Sequence, residues 1–358
     1  FLHIVYKNTM TKEKIILVGY GWGSLGFIQH IDTNQYDVAL FSKHDHFLYT
    51  PLLAQNVKHD RDLTINVDQL KQSLEFVNDK IETVDFKKQT VQEKKYDFLV
   101  FSHGAEVNTF NIPGVQENTH YLKTLDDSNQ IKSKLLELPK DSVIAVIGCG
   151  LAGTELVGSL VDMRKFKIVG IDALDRPVNT FDKTLSEKVV KSWEKESVSM
   201  YFQSLVQKID KQSLDIKDKP SVQFDMAIWC GGIKMSELSK TVNDQLQLEN
   251  NRGIPVDKFL HIQGQKNLFA IGDCAFSGNP PTAQVAYQQG TYLAKQFNQK
   301  FPKKDEFVFQ DKGQIGYIGN GESIYQNNYY KGGGKLVYYF NNLVHFYNFG
   351  KIYVKSKF

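Results

Sequence analysis

Two glycine-rich turns, 129 residues apart, constrain this chain more than any other feature. The first lies in IILVGYGWGS, residues 15–24. An apolar strand runs into Gly19-x-Gly21, and a helical stretch follows through Ile28. The second lies in SVIAVIGCGLAGTELVGSL, residues 142–160, where Gly148-x-Gly150-x-x-Gly153 separates a strand from an amphipathic helix. In such a turn the first glycine permits the bend and the second lets a pyrophosphate close on the backbone. The helix that follows presents its free N–H groups to the anion. The third position, which lets helix pack on strand, is Gly153 in the second turn. In the first it is Ser24, with Gly23 beside it. One such turn is weak evidence. Two, each between a strand and a helix, predict a pair of dinucleotide-binding domains.

The strand ends sharpen that expectation. KIVGID closes on Asp172, 24 residues beyond Gly148, where a carboxylate accepts both hydroxyls of an adenosine ribose and repels a 2′-phosphate. This favours NADH over NADPH, although Arg176 follows four residues later. The corresponding strand of the first unit, DVALF, ends instead in Ser42-Lys43-His44, which leaves Ser42 or the main chain for the ribose. Two further apolar strands end on glycine, at Gly104 and at Gly231-Gly232, and read as crossings from one domain to the other beside a ligand. His103 there reads as a packed joint residue rather than a catalytic one. Residues 57–88 and 197–223 read as intervening hairpins and helices. NLFAI then runs into Gly272-Asp273. The bland alternative is a tight turn with an Asx cap. The functional one is a carboxylate that meets a flavin ribityl hydroxyl, with the amides of the helix opening at Ala283-Gln284 turned toward the isoalloxazine.

Composition removes other classes. A formal charge of +3 without clustered cations, apart from pairs such as Lys303-Lys304, argues against nucleic acid. The nine histidines form no ligand cluster, so no metal is expected. Cys149, Cys230 and Cys274 contain no C-x-x-C, so a dithiol relay lacks its parts. No apolar run is long enough to span a bilayer. The first nine residues, ahead of Met10, read as an extension, a processed remnant or a fragment edge.

From residue 14 to 346 the sequence resembles the type II, single-subunit NADH:quinone oxidoreductases, above all their mitochondrial members. The resemblance is carried by Gly19-Tyr20-Gly21-Trp22, by FLYTPLL at 47–53, by Gly104-Ala105-Glu106, and by Ile112-Pro113-Gly114-Val115. FAIGDC at 269–274 and PPTAQVA at 280–286 complete it. It implies an α/β fold of glutathione reductase type. An NADH-binding Rossmann-like domain (116–235) would be inserted in an FAD-binding one (11–115 and 236–300), ahead of a C-terminal α/β region (301–358). It implies FAD on Gly19, Gly21 and Ser24, with Thr50, Pro51 and Asp273 at the flavin. NADH would lie on Gly148, Gly150, Gly153 and Asp172, and Glu155 near the nicotinamide. Gln284 and Gln288 would line the flavin and quinone site. Ubiquinone or menaquinone would be the acceptor, reached without proton pumping. A homodimer is implied, peripheral on the mitochondrial inner membrane or on the cytoplasmic face of a cell membrane.

The chain departs from the family at Ser42-Lys43-His44-Asp45, at Cys230-Gly231-Gly232 and at Tyr287, where a histidine is usual. In the tail, Leu336, Tyr339, Phe340, Leu343, Val344, Phe346 and Tyr347 gather near one helical face, and Lys351, Lys355 and Lys357 follow. This predicts an interfacial helix, against the alternatives of a helix packed on the protein or a dimer face. The rival activities are a sulfide:quinone oxidoreductase, which needs reactive cysteines, and a degenerate or apoptosis-factor-like flavoprotein with a sensing role.

Overall fold

The computed structural model describes residues 12–70, 73–81, 83–301 and 305–357; the N-terminal extension at 1–9 and the lysine pair at 303–304 lie outside them. The chain opens with β1 (Glu13–Val18), whose last four side chains are all buried. Burial on both faces is what a central parallel strand requires. The first glycine turn leads into α1 (Trp22–Ile28). β2 (Tyr36–Ser42), β3 (Glu75–Asn78) and β4 (Phe98–Phe101) then join β1 in one parallel sheet. The chain next leaves to build a second sheet from β5 (His120–Tyr121), β6 (Val143–Ile147), β7 (Lys167–Ile171), β8 (Ser199–Tyr201) and β9 (Met226–Trp229). These are all parallel, in the order β5-β9-β6-β7-β8. The helices α2 (Leu125–Glu137), α3 (Leu151–Met163) and α4 (Lys183–Lys195) belong to this unit.

After α5 (Glu237–Leu246) the chain returns as β10 (Leu268–Ala270), which pairs with β4. The first sheet thus reads β10-β4-β1-β2-β3, with the second sheet inserted in the chain between β4 and β10. α6 (Ala283–Asn298) then packs on α1. Residues 57–88 and 197–223 differ from expectation. Their described residues form strands, turns and one 3-10 turn but no α-helix, because β3 and β8 are taken up as outer strands of the two sheets.

Glycine fixes two of the helix contacts. A Cβ on Gly26 would stand 2.3 Å from the Tyr287 carbonyl oxygen, and one on Gly290 would stand 1.9 Å from that of Gly23. α1 and α6 therefore touch backbone to backbone over the first glycine turn. Behind them β11 (Gln314–Gly319), β12 (Glu322–Gln326) and β13 (Lys331–Gly334) form an antiparallel sheet pressed on α3. A Cβ on Gly158 would lie 2.6 Å from the Gly319 nitrogen.

The chain ends in α7 (Lys335–Lys357), whose amphipathicity is reversed. Val337, Asn341, His345 and Ile352 face the protein. Leu336, Tyr339, Phe340, Leu343, Phe346 and Tyr347 face outward, each 45–85% exposed, while Val344 is half-buried. The helix does pack on the protein, through a partly polar face, and most of its aromatic face is left free, with Phe340 alone of those named meeting the edge of Tyr325. Among the described residues no helix is long and apolar enough to cross a membrane.

Candidate active site

Parallel strands deliver their carboxyl ends to one edge of a sheet, and there the expected residues gather. On the first sheet β1 leads to Gly19 and Gly21, β2 ends at Ser42, β4 leads to Gly104 and β10 to Gly272-Asp273. Their closeness is measurable, since a Cβ on Gly19 would lie 2.6 Å from the His103 Cα. His103 itself sits between the hydroxyls of Ser236 and Ser239, at 3.0 and 2.9 Å, and burial pushes its pKa down to about 4. It is a neutral joint between β4 and α5.

The glycines divide into two kinds. Gly19 and Gly148 have φ of +95° and +96°, and a Cβ on either would collide with backbone. A Cβ on Gly153 would lie 1.8 Å from the Gly148 oxygen. These three are glycine for the protein's own sake. The middle glycines are not. A Cβ on Gly150 would meet nothing within 4 Å, and one on Gly21 only the Ser102 oxygen at 3.9 Å. Each also starts a helix with no side-chain cap, so the first amides of α1 and α3 are open. An open cradle beside uncapped amides fits a pyrophosphate at both turns.

Gly23 and Ser24 act differently from their expected part in cofactor binding. A Cβ on Gly23 would stand 2.6 Å from the Ser102 hydroxyl, and Ser24, fully buried, donates its hydroxyl to the Gly19 carbonyl. Both residues shape the turn from within. Ser42 accepts the His44 N–H at 3.2 Å, closing its own strand end.

At the second turn, Asp172 accepts the Cys149 N–H at 2.5 Å and the Leu174 N–H at 2.8 Å. A carboxylate has about four lone-pair sites, so two remain for ribose hydroxyls. Arg176 is engaged by Asp175 and the Asn179 carbonyl. Gly231 lies next to the turn, since a Cβ on Gly148 would meet its nitrogen at 2.8 Å.

Four chain segments meet beside the first turn, where the flavin is expected. Thr50 accepts the Trp22 indole N–H at 2.9 Å, which sets Thr50 and Pro51 beside the first turn. Gly272 has φ of +71° and donates its N–H to Gln289 at 2.7 Å. Asp273 follows, and no group among the described residues hydrogen-bonds its carboxylate. Burial raises its pKa, partly offset by Lys123. It is therefore not an Asx cap: its half-buried carboxylate keeps its lone pairs open to a ligand hydroxyl, as a ribityl chain would supply. Thr282 caps α6 by accepting the Val285 N–H, which leaves the amides of Ala283 and Gln284 at the helix mouth.

Gln284 and Gln288, expected as catalytic residues lining the flavin and quinone site, have their side-chain amides engaged by backbone. Gln284 bonds the Gly313 carbonyl and the Lys312 N–H, and Gln288 bonds both backbone groups of Gln310. Their amides strap residues 310–313 to α6. Tyr287, in place of the family histidine, donates to Gln29 at 2.9 Å and meets the edge of Trp22.

Glu155 lies one turn inside α3, buried beneath β11, and accepts the Tyr317 N–H at 3.3 Å. Burial raises its pKa to about 8. Its charge in turn helps raise the pKa of the buried Tyr49, after burial itself. The Tyr49 hydroxyl meets the His345 Nδ1 at 3.1 Å, and His345 Nε2 has no partner among the described residues. This Glu155–Tyr49–His345 grouping was not foreseen. No local pattern signals a pair 296 positions apart. Cys149 and Cys274 are buried and Cys230 is half-buried, and desolvation pushes the pKa of all three thiols up. Reactive cysteines need the opposite shift.

Comparison with known proteins agrees with this geometry. Residues 13–290 match the pyridine nucleotide-disulphide oxidoreductase family. A probable NADH dehydrogenase of Dictyostelium discoideum is 30% identical, over 90% of this chain and 82% of its own. A probable mitochondrial NADH-ubiquinone oxidoreductase of Schizosaccharomyces pombe is 27% identical, over 80% of this chain and 62% of its own length. In fold, NDH2 from Plasmodium falciparum, solved in complex with NADH, superposes with a TM-score of 0.86 at 22% identity, covering 97% of this chain and 99% of that one. The chain belongs to the pyridine nucleotide-disulphide oxidoreductase family, and within it to the type II NADH:quinone oxidoreductases.

Proposed function

We propose that this chain passes electrons from NADH through FAD to a membrane quinone, with the two glycine turns holding the two dinucleotides. The observation that carries this reading is the pair of open cradles at Gly21 and Gly150, which protein packing does not require to be glycine. FAD, when bound, supplies the two-electron relay between a hydride donor and a quinone. The residues supply placement. Gly21 and the amides of α1 hold one pyrophosphate, and Asp273 takes ribityl hydroxyls with the carboxylate lone pairs it has free. Gly150 and the amides of α3 hold the nicotinamide dinucleotide's pyrophosphate. Asp172 takes its adenosine ribose and disfavours a 2′-phosphate.

Reduction of a quinone consumes two electrons and two protons, of which hydride brings one proton. Glu155 keeps a proton on its carboxyl up to about pH 8, and so carries an exchangeable proton in the buried space beside Tyr49. The raised thiol pKa values weigh against the sulfide:quinone alternative. By this reading residues 11–115 and 236–300 form the FAD domain, 116–235 the NADH domain and 301–358 the membrane-facing region. The free aromatic face of α7 supports docking to a bilayer surface. The mitochondrial relatives support a mitochondrial location, which with bilayer docking points to the inner membrane as the proposed site.

Purification with FAD, followed by NADH-dependent reduction of short-chain ubiquinone and menaquinone analogues, tests the assignment. Turnover with at least one quinone is expected, faster with NADH than with NADPH. Oxidation of NADH by neither quinone sinks it.

A further inference from the structure

A second concavity lies apart from both dinucleotide turns. It is an open cleft of about 870 Å³ at the C-terminal end of α3, lined by Lys58, Arg164, Lys188, Lys191, Lys195 and Lys335. Gly150 stands at the other end of that helix, about 20 Å away for a run of this length. Only three carboxylates, Asp162, Glu196 and Glu322, face these six cations. Two of the three are already engaged. Asp162 takes Lys58, the Tyr317 hydroxyl and the Asn320 N–H, and Glu196 takes the Asn320 side chain. Lys188, Lys191 and Lys195 share one face of α4 and, like Lys335 and Arg164, form no ion pair among the described residues. The formal charge of the entire chain is only +3, so this concentration of cations is local.

Several unpaired cations around a wet cleft suit an anion with several oxygens. The place of the cleft narrows the choice. Lys335 and Tyr338, at the start of α7, form part of its wall. From there the outward face of α7 continues as Leu336, Tyr339, Phe340, Leu343, Phe346 and Tyr347, and the helix contains no acidic residue. Burying that face to the acyl boundary sets its flank, and so the mouth of the cleft, at the level of lipid headgroups.

We infer that this cleft binds the phosphate headgroup of an anionic phospholipid. The inference rests on the bilayer docking of α7 proposed above and adds to it a discrete headgroup pocket, built by α4 and the cap of α3. A soluble phosphate compound shares the anion chemistry but makes no use of the adjoining apolar face.

The test is co-sedimentation of the full, FAD-loaded chain with phosphatidylcholine vesicles, with and without phosphatidylglycerol. Phosphatidylglycerol is expected to strengthen binding. The exposed-residue variant Arg164→Gln/Lys191→Gln/Lys195→Gln is expected to lose most of that gain, on the order of 100-fold. A control that removes equal charge outside the cleft, Lys140→Gln/Lys211→Gln/Lys217→Gln, is expected to keep it. Equal losses in the two variants would overturn the pocket in favour of diffuse surface charge. Inorganic pyrophosphate at matched ionic strength supplies the soluble arm. If it raises the unfolding temperature of the parent but not of the cleft variant, the cleft belongs to a soluble phosphate and the lipid assignment fails. Leu343→Ser/Phe346→Ser separates the two levels, since it is expected to weaken binding to both vesicle types. Binding of the parent to neither vesicle overturns α7 docking and the lipid assignment together, while quinone reduction in solution reports on the electron-transfer reading independently.

Discussion

At the residue scale, the informative side chains are those left unsatisfied and those left out. Gly150 has φ of −63° and open space where a Cβ would go, so alanine is tolerated by the fold. Gly150→Ala is expected to leave thermal unfolding of the nucleotide-free protein unchanged and to raise the KM for NADH at least tenfold, because the methyl occupies the pyrophosphate's approach. An unchanged KM in steady-state assays would remove that turn from NADH binding. Glu155 makes a pH prediction. Its folded pKa of about 8 exceeds the ordinary 4.5, so the folded state binds a proton that the unfolded state releases between those values. The stability it confers is complete below about pH 4.5 and is lost as pH rises through 8. Glu155→Gln keeps an acceptor for the Tyr317 N–H and is expected to unfold less readily than the parent above pH 8, by on the order of a few kcal/mol. Denaturant titrations at pH 5 and pH 9 check it, and equal differences at both would contradict the buried proton. Asp172 and Asp273 were legible in the sequence because a carboxylate that ends an apolar strand has few reasons to be there. Tyr49 and His345 were not, because their meeting depends on how α7 docks.

At the scale of elements, apolar runs announced β1, β2, β6 and β7, since strands buried on both faces need unbroken hydrophobic sequence. β3 and β8, half-exposed and at the sheet edges, carry no such signal. The glutamines of α6 show a different limit: a motif identified their position and not their task of holding residues 310–313. The α1–α6 crossing is open to a direct test. Gly290→Ala places a methyl 1.9 Å from the Gly23 oxygen. Overpacking of this kind costs roughly 1–3 kcal/mol, against a gain of about 1 kcal/mol in helix propensity. The variant is expected to unfold at lower temperature and to retain less FAD after gel filtration. Undiminished flavin content would show that the crossing does not support the first glycine turn.

For the whole molecule, the insertion of the second sheet between β4 and β10 lets one chain present two dinucleotide cradles, and the C-terminal sheet buries Glu155 of α3 beneath β11. The second glycine turn made that architecture legible, since neither turn alone implies a partner domain. The course of α7 was legible only as a helix with an apolar face. Which face it would turn inward depended on Ser323 and Tyr49, which receive Asn341 and His345. The measurement that tests the central claim most directly is anaerobic stopped-flow absorbance of the FAD-loaded protein, mixed first with NADH and then with a short-chain ubiquinone. The account predicts rapid bleaching of the flavin band by NADH and its quinone-dependent recovery. Bleaching by neither NADH nor NADPH, or bleaching that ubiquinone and menaquinone analogues both fail to reverse, would contradict it.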